Sequence, residues 1–176
     1  MLGAAGALSC LSLGTALGCW LRERRAARSC MLSSLCEVLG GMRLLLEEER
    51  LSIPELLTTS AAWALRGTGG EETARRLMLT AEALIRDPFL SLPDAYALSC
   101  TQVAAPWEQA EEKAVMSCLF SQLGSGTAGM RAQAAAACLR RLRPLDEAAR
   151  KEAQRGGRLC MQLGMILGLM AGIILW

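Results

Sequence analysis

Residues 31–57 read MLSSLCEVLGGMRLLLEEERLSIPELL, and the apolar spacing within them predicts the fold. Five large apolar residues recur three or four positions apart: Leu32, Leu35, Leu39, Met42 and Leu46. That spacing places them on one side of an α-helix, as in the seam of a coiled coil. Gly40 and Gly41 interrupt this seam, each at a cost of about 1 kcal/mol relative to alanine. Close approach by a neighbouring helix would offset the cost, so the stretch predicts a helix packed against others.

Start and stop signals divide the rest of the chain into further helices. Three pairs have the spacing of an N-terminal cap: Ser52 with Glu55, Thr68 with Glu71, and Ser91 with Asp94. Helix breaks are predicted at 67–70, Pro88, Pro106 and the glycine-rich 124–129.

The segments between these breaks have helical periodicity. One apolar face is predicted on the third helix, formed by Ala74, Leu77, Ala81, Leu84 and Ile85. A later helix is predicted from Trp107 to Leu123, and Pro144 is expected to kink or restart the last one. Few residues are β-branched, which disfavours sheet. We therefore predict an all-α protein with an antiparallel helical bundle.

Both ends of the chain are uncharged in their side chains. No charge precedes Arg22 and none follows Arg158. Each end is long enough to cross a hydrocarbon core of about 30 Å as a helix. We predict transmembrane helices at 1–21 and 159–176, with a helical bundle between them at 22–158.

Basic residues set the predicted orientation. They follow the first apolar segment and lead into the second: Arg22, Arg24, Arg25 and Arg28, then Arg150, Lys151, Arg155 and Arg158. Basic flanks stay in the cytosol, so we expect the bundle there and both termini outside. A secretory signal is disfavoured for the first segment because its charges would precede the apolar run.

Small residues line one side of each predicted span. The glycines that we expect to pack are Gly6, Gly14 and Gly18 in the first and Gly164, Gly168 and Gly172 in the second, with Cys10 between Gly6 and Gly14. Such spacing lets helix backbones approach closely in lipid. The sequence leaves open whether the two ridges meet within one chain or join subunits of a homo-oligomer.

Reactive chemistry has few candidates in this sequence. The chain has no histidine, and its eight cysteines form no C-x-x-C pair, so we predict no catalytic, cofactor or metal site and read the cysteines as apolar packing residues. Gly124, Gly126 and Gly129 spell a dinucleotide-binding pattern, but no strand precedes them, and we interpret them as a helix–helix turn. A net charge of +2 does not predict nucleic-acid binding.

Acidic residues cluster where the first long helix is expected to end. Glu47, Glu48 and Glu49 end it and Glu55 begins the next, so we predict a contact with a basic partner there. The alternative is that these acids only solvate the helix end.

The chain resembles the stage III sporulation protein AB family along its whole length. The resemblance is strongest in 35–56 and in the closing KEAQRGGRLCMQLGMILGLMAGIILW, 151–176. It implies a helical domain like the platform protein of type II secretion systems, in the channel complex of the mother-cell membrane surrounding the forespore. The implied partners are a secretion-type ATPase and other sporulation channel proteins. A pore-forming or holin-like membrane protein, which is not an enzyme either, is the alternative.

Overall fold

The computed structural model describes residues 2–48, 51–105 and 108–174, and it describes only the backbone at 2–15, 17, 48, 156–169 and 171–174. The described residues form six helices and no strand. The helices are α1 Leu2–Glu48, α2 Ile53–Ala64, α3 Glu71–Arg86, α4 Leu92–Gln102, α5 Ala110–Leu123 and α6 Ala128–Ile174. The predicted all-α class is confirmed.

Contacts divide the chain into two units. Residues 1–29 and 148–176 form one, and residues 30–147 form the other, which we call the body. In the first unit the Arg28 guanidinium lies 3.4 Å from the Glu152 carboxylate, and the Arg24 guanidinium lies 5.4 Å from the centre of the Trp20 ring. The predicted membrane boundaries at 21/22 and 158/159 remain predictions.

The seam of α1 is buried in the body. All five of its apolar residues, Leu32, Leu35, Leu39, Met42 and Leu46, have at most 7% of their surface exposed. Gly41 lies against Trp63 of α2, where a Cβ would clash with the indole ring. Gly40 has no neighbour within 4 Å of such an atom. A close neighbour therefore explains Gly41 and leaves Gly40 unexplained.

The cap of α2 is formed by Ser52 and Glu55, as predicted. The Glu55 carboxylate accepts hydrogen bonds from the Ser52 backbone N–H and hydroxyl. Pro54 lies in the first turn, where no helical N–H bond is required. The cap predicted at Thr68 is wrong, because α3 begins at Glu71 with Gly70 as its N-cap residue.

Tight packing explains the start of α3. Gly69 has φ of +78°, a conformation that glycine adopts without steric cost, and a Cβ on it would lie 2.7 Å from the Cys30 Cβ. A Cβ on Gly70 would clash with the Ala64 carbonyl oxygen. The α2–α3 turn thus packs closely against α1, and this close contact fixes the residue at which α3 begins.

The next helices show two further corrections. Ala74, Leu77 and Ala81 are buried, but Ile85 is 66% exposed, since it lies one residue before the end of α3. Helix α5 begins at Ala110, and Gln109 donates its N–H to Glu112 there, so the predicted start at Trp107 is wrong. Pro106 and Trp107 themselves lie outside the described residues.

Pro144 does not end or restart the last helix, because α6 is continuous from Ala128 to Ile174. A proline inside a helix removes one backbone hydrogen bond and costs about 3 kcal/mol. Contacts on both sides offset that cost: Leu142 is fully buried, and the Asp146 carboxylate accepts a 2.8 Å hydrogen bond from the Ser33 hydroxyl. Tertiary packing thus keeps the proline within the helix.

One described helical stretch, Gly18–Glu47, is long and apolar enough to cross a membrane by length and composition. It includes the seam of α1, and 44% of the residues in its most apolar window are buried within the protein. The predicted span at 1–21 overlaps it only at 18–21. Most of 1–21 and of 159–176 has side chains outside the described residues, so both predicted spans remain predictions.

Candidate functional site

The helix directions bring three connections to one end of the body. Residues 69 and 70 lie against Cys30 and Ser34, so the α2–α3 turn is at the Cys30 end of α1. Helix α2 therefore begins, and α3 ends, at the opposite end. A Cβ on Gly124 would lie 3.4 Å from the Leu92 Cβ, which places the α5–α6 connection there as well. The end opposite Cys30 therefore holds the α1–α2, α3–α4 and α5–α6 connections. We call it the Phe89 end, and the other the Cys30 end.

Two of the four predicted partner-binding acids have described side chains at the Phe89 end. Glu47 is exposed and accepts a 2.8 Å hydrogen bond from Arg43, one turn earlier. Glu55 is exposed as well, and its hydrogen bonds from Ser52 hold the pKa of its carboxyl below the ordinary value. Glu48 is the last residue of α1, but its side chain and all of Glu49 lie outside the described residues.

The glycine ridges have helical backbone throughout. Gly6, Gly14 and Gly18 lie in α1, and Gly164, Gly168 and Gly172 lie in α6. Gly18 is partly exposed. What packs on the other five lies outside the described residues, so their role in helix packing stays a prediction.

The glycine pattern at 124–129 joins two helices, as predicted. Gly124 is the C-cap residue of α5, and Gly126 has φ of +92°, which reverses the chain direction before α6. This geometry is that of a helix–helix turn rather than of a phosphate-binding loop after a strand.

A buried ion pair was not predicted from the sequence. The Arg76 Nη1 lies 3.0 and 2.9 Å from the two Glu108 carboxylate oxygens, and its Nε donates a 3.1 Å hydrogen bond to the Val103 carbonyl. The side chains are only 8% and 2% exposed. One feature of the sequence could have predicted the burial of Arg76: it falls within the apolar face of α3, beside Leu77 and one turn before Thr80.

Burial and charge oppose each other at this pair. Burial lowers the pKa of Arg76, but the hydrogen bond and the charge of Glu108 outweigh it, so the pKa is raised overall. Burial also raises the pKa of nearby Glu72, partly against the attraction of Arg76. The guanidinium is therefore firmly charged and connects α3 to the α4–α5 connection.

A cleft of about 350 Å³ opens beside the ion pair, between α4 and α5. Tyr96 forms one wall, with its ring stacked on Phe120 at a centroid distance of 3.9 Å. Burial and the neighbouring Cys100 raise the pKa of Tyr96 far above its ordinary value. The Cys100 thiol also lines the cleft, but the chain has no histidine to act as its base.

Metal ligands do not cluster in the described part of the chain: no group of three or more histidine, cysteine, aspartate or glutamate residues is arranged to hold an ion. Cys138 is buried in the body, where burial raises the pKa of its thiol, and its Sγ lies 3.7 Å from the Val115 carbonyl oxygen. The six described cysteines are all free thiols.

A comparison with models of known protein families finds a match. The family model described as stage III sporulation protein AB matches residues 3–176. Neither the curated proteins nor the solved structures contain a match.

Proposed function

Since the chain belongs to the stage III sporulation protein AB family, we propose that it is a non-enzymatic platform of the channel between mother cell and forespore. Its body docks a secretion-type ATPase, and its two ends anchor it in the mother-cell membrane with both termini outside the cytosol. Other channel proteins contact the same platform, and the glycine ridges join its spans within or between chains.

One observation carries this proposal. The family match covers 3–176, and within the body Glu55 closes the cap of α2 and Arg76 is paired with Glu108. Arg76 and Glu108 neutralise each other beside the cleft. A packed helical bundle with exposed acids on its surface supports a scaffold more than a reaction centre.

Electrostatic steering would bring the ATPase to the Phe89 end. Glu47 and Glu55 are exposed there, and complementary charge speeds encounter more than it tightens the complex. We expect Glu47→Lys, Glu48→Lys and Glu49→Lys together to slow association at low salt and to weaken its salt dependence. Folding should be kept, because exposed charges contribute under about 1 kcal/mol each.

The test measures association of the full chain, held in lipid nanodiscs, with the purified secretion-type ATPase of the same organism. A matched control reverses three exposed acids at the Cys30 end: Glu71, Glu111 and Glu147. Circular dichroism checks that both triple variants remain helical. If the unaltered chain does not bind the ATPase in any nucleotide state, the docking function is wrong. Binding that both triple variants slow equally would leave the function standing and place the contact elsewhere.

A further inference from the structure

Large apolar side chains are exposed along one side of α3. Met78 and Ile85 are seven residues apart, hence on the same face of the helix, and are 42% and 66% exposed. Phe89 follows in the turn after α3 and is 98% exposed. The other phenylalanine, Phe120, is fully buried. An aromatic ring left in water beside two further apolar side chains is typical of an interaction surface.

The turn holds Phe89 in a defined place. The Phe89 N–H donates a 3.0 Å hydrogen bond to the Asp87 Oδ1, and the Leu90 N–H donates to the Asp87 carbonyl oxygen. Pro88 restricts φ immediately before it, and Ser91 starts α4 two residues later. Because the backbone is already ordered, little further ordering is needed when the ring is buried against a partner.

Charges around this surface indicate the chemistry of the partner. Glu82 lies on the outer face of α3 between Met78 and Ile85, Asp87 begins the turn, and Asp94 lies in the first turn of α4, all three exposed. Two exposed cations, Arg75 and Arg86, stand against these three acids. An acidic border repels an anionic lipid surface and favours a protein with basic side chains around its contact.

We propose that Phe89, with Ile85 and Met78, is the apolar anchor of the docking interface. It inserts into an apolar pocket that is bordered by lysine or arginine on the partner protein. This inference rests on the proposed function in taking that partner to be the secretion-type ATPase. The apolar anchor slows dissociation of the complex, and the acidic border speeds association.

The first experiment measures binding of the full chain in nanodiscs to the ATPase. Phe89→Ala should weaken the Kd about 10- to 100-fold, mainly through faster dissociation, as expected for a lost aromatic anchor. Glu82→Lys should slow association. The matched control is Leu65→Ala: Leu65 is 53% exposed at the Cys30 end, and its loss should change the Kd less than threefold. An unchanged Kd for Phe89→Ala, with the unaltered chain binding, would overturn the anchor and leave the ATPase docking intact.

A second experiment separates the anchor from the identity of the partner. A photo-crosslinking amino acid replaces Phe89, or Leu65 as control, in the full chain in sporulating cells. We expect a crosslink to the ATPase from position 89 alone. A crosslink to another identified protein, whose purified form binds at least tenfold more weakly after Phe89→Ala, would keep the anchor and refute the ATPase as its partner. Crosslinks only to lipid or to a second copy of this chain, or none above the Leu65 background, would refute the anchor.

Discussion

Two adjacent glycines in α1 have opposite surroundings. A Cβ at position 41 would meet the Trp63 ring, whereas one at position 40 would meet nothing within 4 Å. We predict that Gly41→Ala lowers the free energy of unfolding by about 1–3 kcal/mol, since the ring must move. Gly40→Ala should raise it by about 0.5–1 kcal/mol, because alanine loses less backbone entropy in a helix. The measurement is urea unfolding of the full chain in detergent, followed by circular dichroism.

A double variant identifies the cause of the Gly41 effect. With Trp63→Ala in the background, the penalty of Gly41→Ala should disappear, because nothing then occupies the space of the new methyl group. Equal effects of the two glycine substitutions in the unaltered chain would contradict the contact.

At the scale of elements, the Arg76–Glu108 pair fixes the α4–α5 connection against α3. Glu108→Ala leaves a buried guanidinium without its counter-charge, and we predict a loss of about 3 kcal/mol in the free energy of unfolding. Replacing both residues by leucine removes both charges, so the double variant should be more stable than Glu108→Ala alone. Urea unfolding of the full chain measures both. A double variant less stable than Glu108→Ala would mean that the ion pair stabilises the fold by more than charge compensation.

Helix α6 shows how an element is decided by its neighbours. Pro144 is a strong local signal to break a helix, yet Leu142 and Asp146 are both buried on either side of it. A local signal worth about 3 kcal/mol is thus outweighed by the packing of the helix on the body.

For the whole molecule, the basic flanks of the apolar ends predict the topology. We expect the body in the cytosol and both termini outside. The test uses a variant with all cysteines replaced by alanine and one cysteine at Ser125, which is exposed in the α5–α6 connection. A second variant has its one cysteine appended after Trp176. In intact non-sporulating cells that express each variant, the chain lies in the outer cell membrane instead of the membrane around the forespore. There a membrane-impermeant maleimide should label the appended cysteine alone, and permeabilised cells should show both. Labelling of position 125 in intact cells would contradict the topology.

The sequence alone was sufficient for what depends on local spacing. The seam from Leu32 to Leu46, the Ser52–Glu55 cap and the helix–helix turn at 124–129 were predicted and are present. Each depends on residues within one or two helical turns, where periodicity and capping chemistry act directly. The resemblance to the stage III sporulation protein AB family was likewise read from the sequence and is matched over 3–176.

Only the tertiary structure decided the features that depend on contacts between different helices. Ile85 has the spacing of a core residue but is exposed, and Arg76 has the chemistry of a surface residue but is buried against Glu108. Gly40 and Gly41 are equivalent in sequence, and only the Trp63 ring distinguishes them. How much a side chain contributes to stability depends on which residues cover it. Those residues are often far away in the chain, and the packing of the helices decides which they are.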